Sequence, residues 1–94
     1  MTQAQELLRR AMETQPLPEQ VRAYNSVVDN FGRGAGIGFF DSVVVGFVER
    51  LVQLNQHAEA LRAIERAHHT LKVEPNSQLA GEFDGLTKMV KAAK

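Results

Sequence analysis

The apolar residues between positions 38 and 54 return at helical intervals. Phe40, Val44, Phe47, Leu51 and Leu54 follow one another at steps of four, three, four and three, which strings them along one side of an α-helix. Phe39, Val43, Val48 and Val52 widen the apolar surface, so this helix is expected to touch neighbours on more than one side. The run "SVVVGFV" is β-branched, yet it lies inside that longer period and reads as helix rather than strand. Asp41 falls in the first turn, where a carboxylate suits the positive end of the helix.

The rest of the chain repeats the theme. Leu7, Leu8 and Ala11 make a narrow stripe between positions 3 and 14. "QPLPEQ" then breaks the chain, because each proline disfavours helix at the residue before it, while Pro18 is well placed to open the next helix. Val21, Tyr24, Val28 and Phe31 form a second stripe, with Gly32 as a stop. After a tight link at "LNQH", the stripe Ala60, Leu61, Ile64, Ala67, His68 and Leu71 predicts a fourth helix. "EPNS" is a break followed by capping residues, and Leu79, Phe83, Leu86 and Val90 complete a fifth. The expectation is one all-α domain, with helices near 3–14, 18–31, 38–54, 57–72 and 77–92 and a glycine-rich connector at 32–38. The helices would run antiparallel, as a right-handed stack of hairpins or as a small orthogonal bundle.

Composition narrows the class of function. Ninety-four residues make one domain at most, with a modest core. The 44% apolar and 23% charged fractions are those of a folded domain rather than a disordered segment. Eleven basic and eleven acidic residues cancel, so no broad basic face is offered to nucleic acid. Lys88, Lys91 and Lys94 read instead as cations near a helix's negative end. Cysteine is absent, which removes disulfides and thiolate metal sites and fits a reducing, cytoplasmic setting. The N-terminal stretch has no apolar core of signal-peptide length. "GAGIGFFDSVVVGFV" is interrupted by Asp41 and stopped by Glu49 and Arg50, short of the roughly 18 apolar residues of a membrane span.

The segment "FVERLVQLNQHAEALRAIERAHHTLKVEPNS" resembles a tetratricopeptide-repeat hairpin. Phe47 and Leu51 stand at the large apolar positions of the first helix, and Asn55-Gln56-His57 stands at the turn. Ala60 and Ala67 are the small residues of the second helix, Leu61 and Ile64 its apolar ones, and Pro75 approximates the terminal proline. Two features depart from the pattern. Pro75 lies about three residues late, and Val48 stands near the place of the usual glycine. A weaker echo runs through "QELLRRAMETQPLPEQVRAYNSVVDNF". The resemblance implies a groove that binds a peptide or a partner helix. In one subclass, basic and amide side chains on the first helix clamp a C-terminal carboxylate. The matching positions here hold Val45 and Glu49, which leaves an apolar or mixed surface with Val52 instead. Stacking of this kind also exposes an apolar face at each end, from which a homodimer would follow.

The stretch "NFGRGAGIGFFD" is the one place where ligand chemistry suggests itself. A phosphate-binding P-loop needs a lysine and a hydroxyl directly after its last glycine, and Gly32, Gly34, Gly36 and Gly38 are followed by neither. The dinucleotide pattern G-x-G-x-x-G fails at Ile37 or at Phe39, depending on the register chosen. Both motifs also follow a strand, whereas a helix precedes this loop. It reads as a joint between helices. The alternative is a small ligand- or phosphate-binding protein whose loop amides hold an anion with help from Arg33. Phe39 is either a staple onto the second helix or a contact for a partner.

Other chemistry is sparse. His57 and His68 are eleven apart and would share a helix face with Glu65 near them, an unspecific metal-ligand spacing. Serines and threonines have no histidine and acid at a telling interval. Glu6, Glu13, Glu59 and Glu65 lie within helical reach of Arg9, Arg10, Arg62 or Arg66, as ordinary surface charges do. The sequence therefore describes a non-catalytic interaction module without cofactor or metal, with a protein or peptide partner. Arg33, Phe39, Val45, Glu49 and Val52 are its candidate contacts. A purely structural homo-oligomer is the further alternative.

Overall fold

Prolines and positive-φ residues cut the chain where the apolar periods break. The computed structural model describes residues 3–93, and Lys94, one of the C-terminal cations, lies outside them. Helix α1 spans Gln3–Thr14 and α2 spans Leu17–Phe31, with Pro18 in the first turn of α2. The central helix α3 is continuous through three segments, Ile37–Phe39, Phe40–Val44 and Val45–Gln53. Helix α4 spans His57–Thr70 and α5 spans Gln78–Ala92. Among the described residues there is no strand, and the fold is all-α.

The middle segment of α3 is a π-helical turn, in which the Val45 N–H donates to the Phe40 carbonyl. This corrects the regular α-helix expected over 38–54. The wider turn re-phases the two apolar stripes so that Phe40, Val43, Val44, Phe47, Val48 and Leu51 are all buried. Tyr24 of α2 stacks on Phe47 with ring centroids 4.6 Å apart, and Phe83 of α5 meets Phe40 at the same distance. The central helix is thus clamped by aromatic contacts from two neighbours.

Both connections flanking α4 end a helix with a left-handed residue. Asn55 takes φ 61, its N–H donates to the Val52 carbonyl, and the next N–H, of Gln56, donates to Leu51. Lys72 takes φ 52 in the same arrangement, with Lys72 donating to His69 and Val73 to His68. This double bond pattern satisfies helix-end carbonyls and stops the chain. It ends α4 at Thr70 rather than at the expected 72.

Long-range contacts fix the directions. Tyr24 reaches Ala63, Asp29 pairs with Arg66, and Gly32 abuts Leu71, separations of 39, 37 and 39 residues. A nearly constant offset means that α2 and α4 run parallel. Ala4 lies beside Gly38, and Leu8 and Met12 lie beside Ser42 and Gly46, so α1 and α3 run parallel too. The pairs α1–α2, α3–α4 and α4–α5, each joined by a link and packed together, are antiparallel. The result is two rows: α1, α3 and α5 in one, α2 and α4 in the other. The principal extents are 38 × 31 × 19 Å, and the shortest is about two helix diameters.

Three stripe residues expected inside are largely outside. Leu7 is 45%, Phe31 38% and Leu54 43% exposed. Leu54 has left the helix as its cap, and Phe31 stands at the very end of α2. On α1, Ala4, Leu8 and Ala11 make the buried stripe instead.

A polar clasp supports the other end of the slab. Gln20 is buried, its Nε2 donates to the Gln15 carbonyl at 2.8 Å, and its Oε1 accepts from Arg50 Nε at 3.1 Å. Arg50 Nη2 also donates to the Met12 carbonyl at 3.1 Å. One guanidinium therefore ties α3 to the α1–α2 turn.

Candidate functional site

A groove on the surface lies between α4 and α5. Ser77 caps α5, its Oγ accepting from the Ala80 N–H at 3.1 Å, and so fixes the rotation of that helix. Phe83, Leu86 and Val90 then face the core. Ala60, Ala63 and Ala67 fill the inner side of α4, which leaves Leu61 and His68, seven residues apart, on its flank. Between the helices opens a groove of about 550 Å³. Leu61, Ile64 and Phe83 supply its apolar floor, and His68 rests edge-on against Phe83 at 5.2 Å. Glu65, Asp84 and Lys91 stand on its rim. Asp84 is shared with Lys88 of the next turn at 3.1 Å, an exposed pair of little energetic weight.

The groove occupies a particular place in the fold. In the slab, α1 is backed by α2 and α3 by α4, but α5 has no helix behind it among the described residues. The position beside α4 and against α5 is this groove. An apolar floor with a charged rim suits a helix or an extended peptide.

The residues singled out from the sequence are dispersed. Arg33 lines a small cleft with Asp29, His69, Thr70 and Lys72. Two helix C-termini, those of α2 and α4, converge there, which accounts for its cations without any ligand. The connector itself forms a turn, with the Ala35 N–H donating to the Gly32 carbonyl at 3.0 Å and Gly34 at φ 75. Phe39 is half-buried and packs over the end of α2, its Cε1 within 3.4 Å of the place a Gly32 side chain would take. That is the staple arrangement. Phe39 also borders an apolar hollow of about 690 Å³ with Phe31, Ala4 and Gly38. Val45 and Val52 are partly buried against the core, while Glu49 on the same stripe is exposed. Arg33 and the α3 stripe therefore do not converge on one surface.

The histidines stand apart from one another. His57 opens α4, half-buried, and its Nε2 is enclosed without a hydrogen-bond partner. His68 is in the last turn, so although the two share a side of the helix they stand about 16 Å apart along it. Among the described residues no three histidine or acidic side chains gather as a metal site. Three titrations among the described residues depart clearly from the usual range, and all have local causes. The hydrogen bond to Glu6 raises the exposed Arg9 guanidinium. The Arg9 hydrogen bond holds the exposed Glu6 carboxyl below the usual carboxylate range. Burial pushes the Tyr24 hydroxyl well up, and that hydroxyl is committed to the Ala63 carbonyl. No described helix is long and apolar enough to cross a membrane.

No family model matches the chain, and neither the curated proteins nor the solved structures give a match.

The groove's residues were in view in the sequence without being read as a site. The helical period puts Leu61, Ile64 and His68 in one stripe with core residues. The usable signal was width: together with Ala60, Ala63, Ala67 and Leu71 they cover more of α4 than the core side takes.

Proposed function

We propose that this protein is a non-catalytic interaction module that binds a helix or peptide of another protein in the α4–α5 groove. The observation that carries the reading is the unbacked α5, with an apolar floor of Leu61, Ile64 and Phe83 where a sixth helix would lie. The tetratricopeptide-like stack is part of the proposal. Its supports are the parallel α1/α3 and α2/α4 offsets and the fully enclosed Ala60 and Ala67, where small residues let backbones approach. The absence of cysteine supports a cytoplasmic setting.

The test is a screen of amphipathic helical peptides against the folded domain, read by amide NMR shifts. Binding that shifts Leu61, Ile64, His68 and Phe83 is the expected result. Peptides that bind only elsewhere would overturn it. So would nucleotides or sugar phosphates that shift residues 32–38 while every peptide leaves the groove silent.

A further inference from the structure

The groove is lined from the α5 side by Ala80, Phe83, Asp84, Thr87 and Lys91, which recur at helical spacing along one side of that helix. Asp84 and Lys91 are the two charges of this row, seven residues apart, which is two turns or about 10.5 Å. Between them stands Thr87, a small side chain. Gly81 and Gly85 border the row, and a side chain at either would meet nothing. On α5 the row therefore carries one negative charge, Asp84 with Lys88 beside it at 3.1 Å, and one positive charge, Lys91, with no bulk between, while Glu65 of α4 adds a second negative charge to the groove.

Such a row is complementary to itself. A second α5 laid antiparallel across it sets Asp84 of each copy opposite Lys91 of the other, and it opposes the two helix dipoles as well. A parallel second copy would instead place like charges together. Two-fold symmetry makes the contact closed, with each copy's α5 serving as the missing helix for the other. Resting on the groove reading above, we infer that the groove's occupant in the protein alone is a second copy of this chain, bound as an antiparallel α5–α5 dimer.

The test is sedimentation of the full chain from micromolar to millimolar concentration, with Asp84→Lys, Lys91→Asp and the double reversal. Asp84 and Lys91 are both exposed, so the reversals leave the fold intact, which circular dichroism checks. Each single reversal is expected to weaken dimerisation by about ten-fold or more, and the double reversal to restore it. Because the chain has no cysteine, Thr87→Cys adds a second readout: its thiols face each other near the two-fold axis and crosslink on mild oxidation. A wild-type chain that stays monomeric at millimolar concentration overturns the inference. So does a dimer indifferent to both single reversals. If such a monomer still takes helical peptides in the groove, the groove reading survives and the dimer alone is lost. If neither peptide nor second copy binds there, both fall.

Discussion

The Tyr24 hydroxyl donates to the Ala63 carbonyl at 2.8 Å, a buried bond between two helices that run in the same direction. The same ring stacks on Phe47, so one side chain binds α2 to both α3 and α4. Tyr24→Phe keeps the stack and removes only the hydroxyl. We expect it to lower stability by about 1–2 kcal/mol, the usual loss for a buried hydrogen bond whose acceptor keeps its helical partner. Chemical denaturation of the two proteins at neutral pH checks this.

The same hydroxyl predicts an alkaline transition. Burial raises its folded pKa above the ordinary tyrosine value of about 10. The unfolded chain therefore gives up this proton first, and stability falls as pH rises past that value. The contribution is whole below it and is lost between it and the higher folded value. Tyr24 is the sole tyrosine and tryptophan is absent, so tyrosinate absorbance reports this group alone. Wild type should lose more stability than Tyr24→Phe above about pH 10, and its absorbance change should coincide with unfolding. A tyrosinate signal that develops while the fold is intact would contradict the burial.

Arg50 is predicted to act as a structural clasp. Arg50→Met leaves the Gln20 Oε1 and the Met12 carbonyl without that donor, at a cost of about 1–3 kcal/mol. Lysine should rescue poorly, because it lacks the planar fork that reaches both acceptors. A double-mutant cycle with Gln20→Leu measures the coupling, expected at about 0.5–3 kcal/mol for groups in one network. A coupling of zero would mean that the clasp does not hold the turn.

Five helices were legible because their apolar periods are long and are punctuated by Pro16, Pro18, Pro75 and Ser77, whose conformational effects are local. The π turn was not legible. Phe40 to Val44 satisfy an α period well enough, and only packing against α1, α4 and α5 at once selects the wider turn. Burial follows the stripes except at Leu7, Phe31 and Leu54, and the last two have the right phase but stand where their helices stop. Arg50 reads as the charge that stops an apolar run, and its role depends on the Met12 carbonyl and the Gln20 side chain, both far away in sequence. The groove was invisible for a related reason. Periodicity gives the width of an apolar face but not whether a neighbour covers it, and α5 has none behind it.

The two left-handed helix ends make a last, directional prediction. Lys72 at φ 52 adopts a conformation that glycine takes freely and that costs a residue with a Cβ about 1 kcal/mol. Lys72→Gly should therefore stabilise the domain by roughly 0.5–1 kcal/mol, provided the Lys72 and Val73 amides keep their bonds to His69 and His68. Gly46, in mid-helix, is the converse case. A side chain there meets nothing within 4 Å, so Gly46→Ala should stabilise α3 by about 0.5–1 kcal/mol through helix propensity alone. At Gly32 the sign reverses, since a new Cβ would sit 2.6 Å from the Val28 carbonyl oxygen and 3.1 Å from Leu71. Thermal unfolding of the three single variants separates these cases. Stabilisation by Lys72→Gly and Gly46→Ala with loss in Gly32→Ala is expected. A destabilised Lys72→Gly would mean that α4 does not end at that residue in solution.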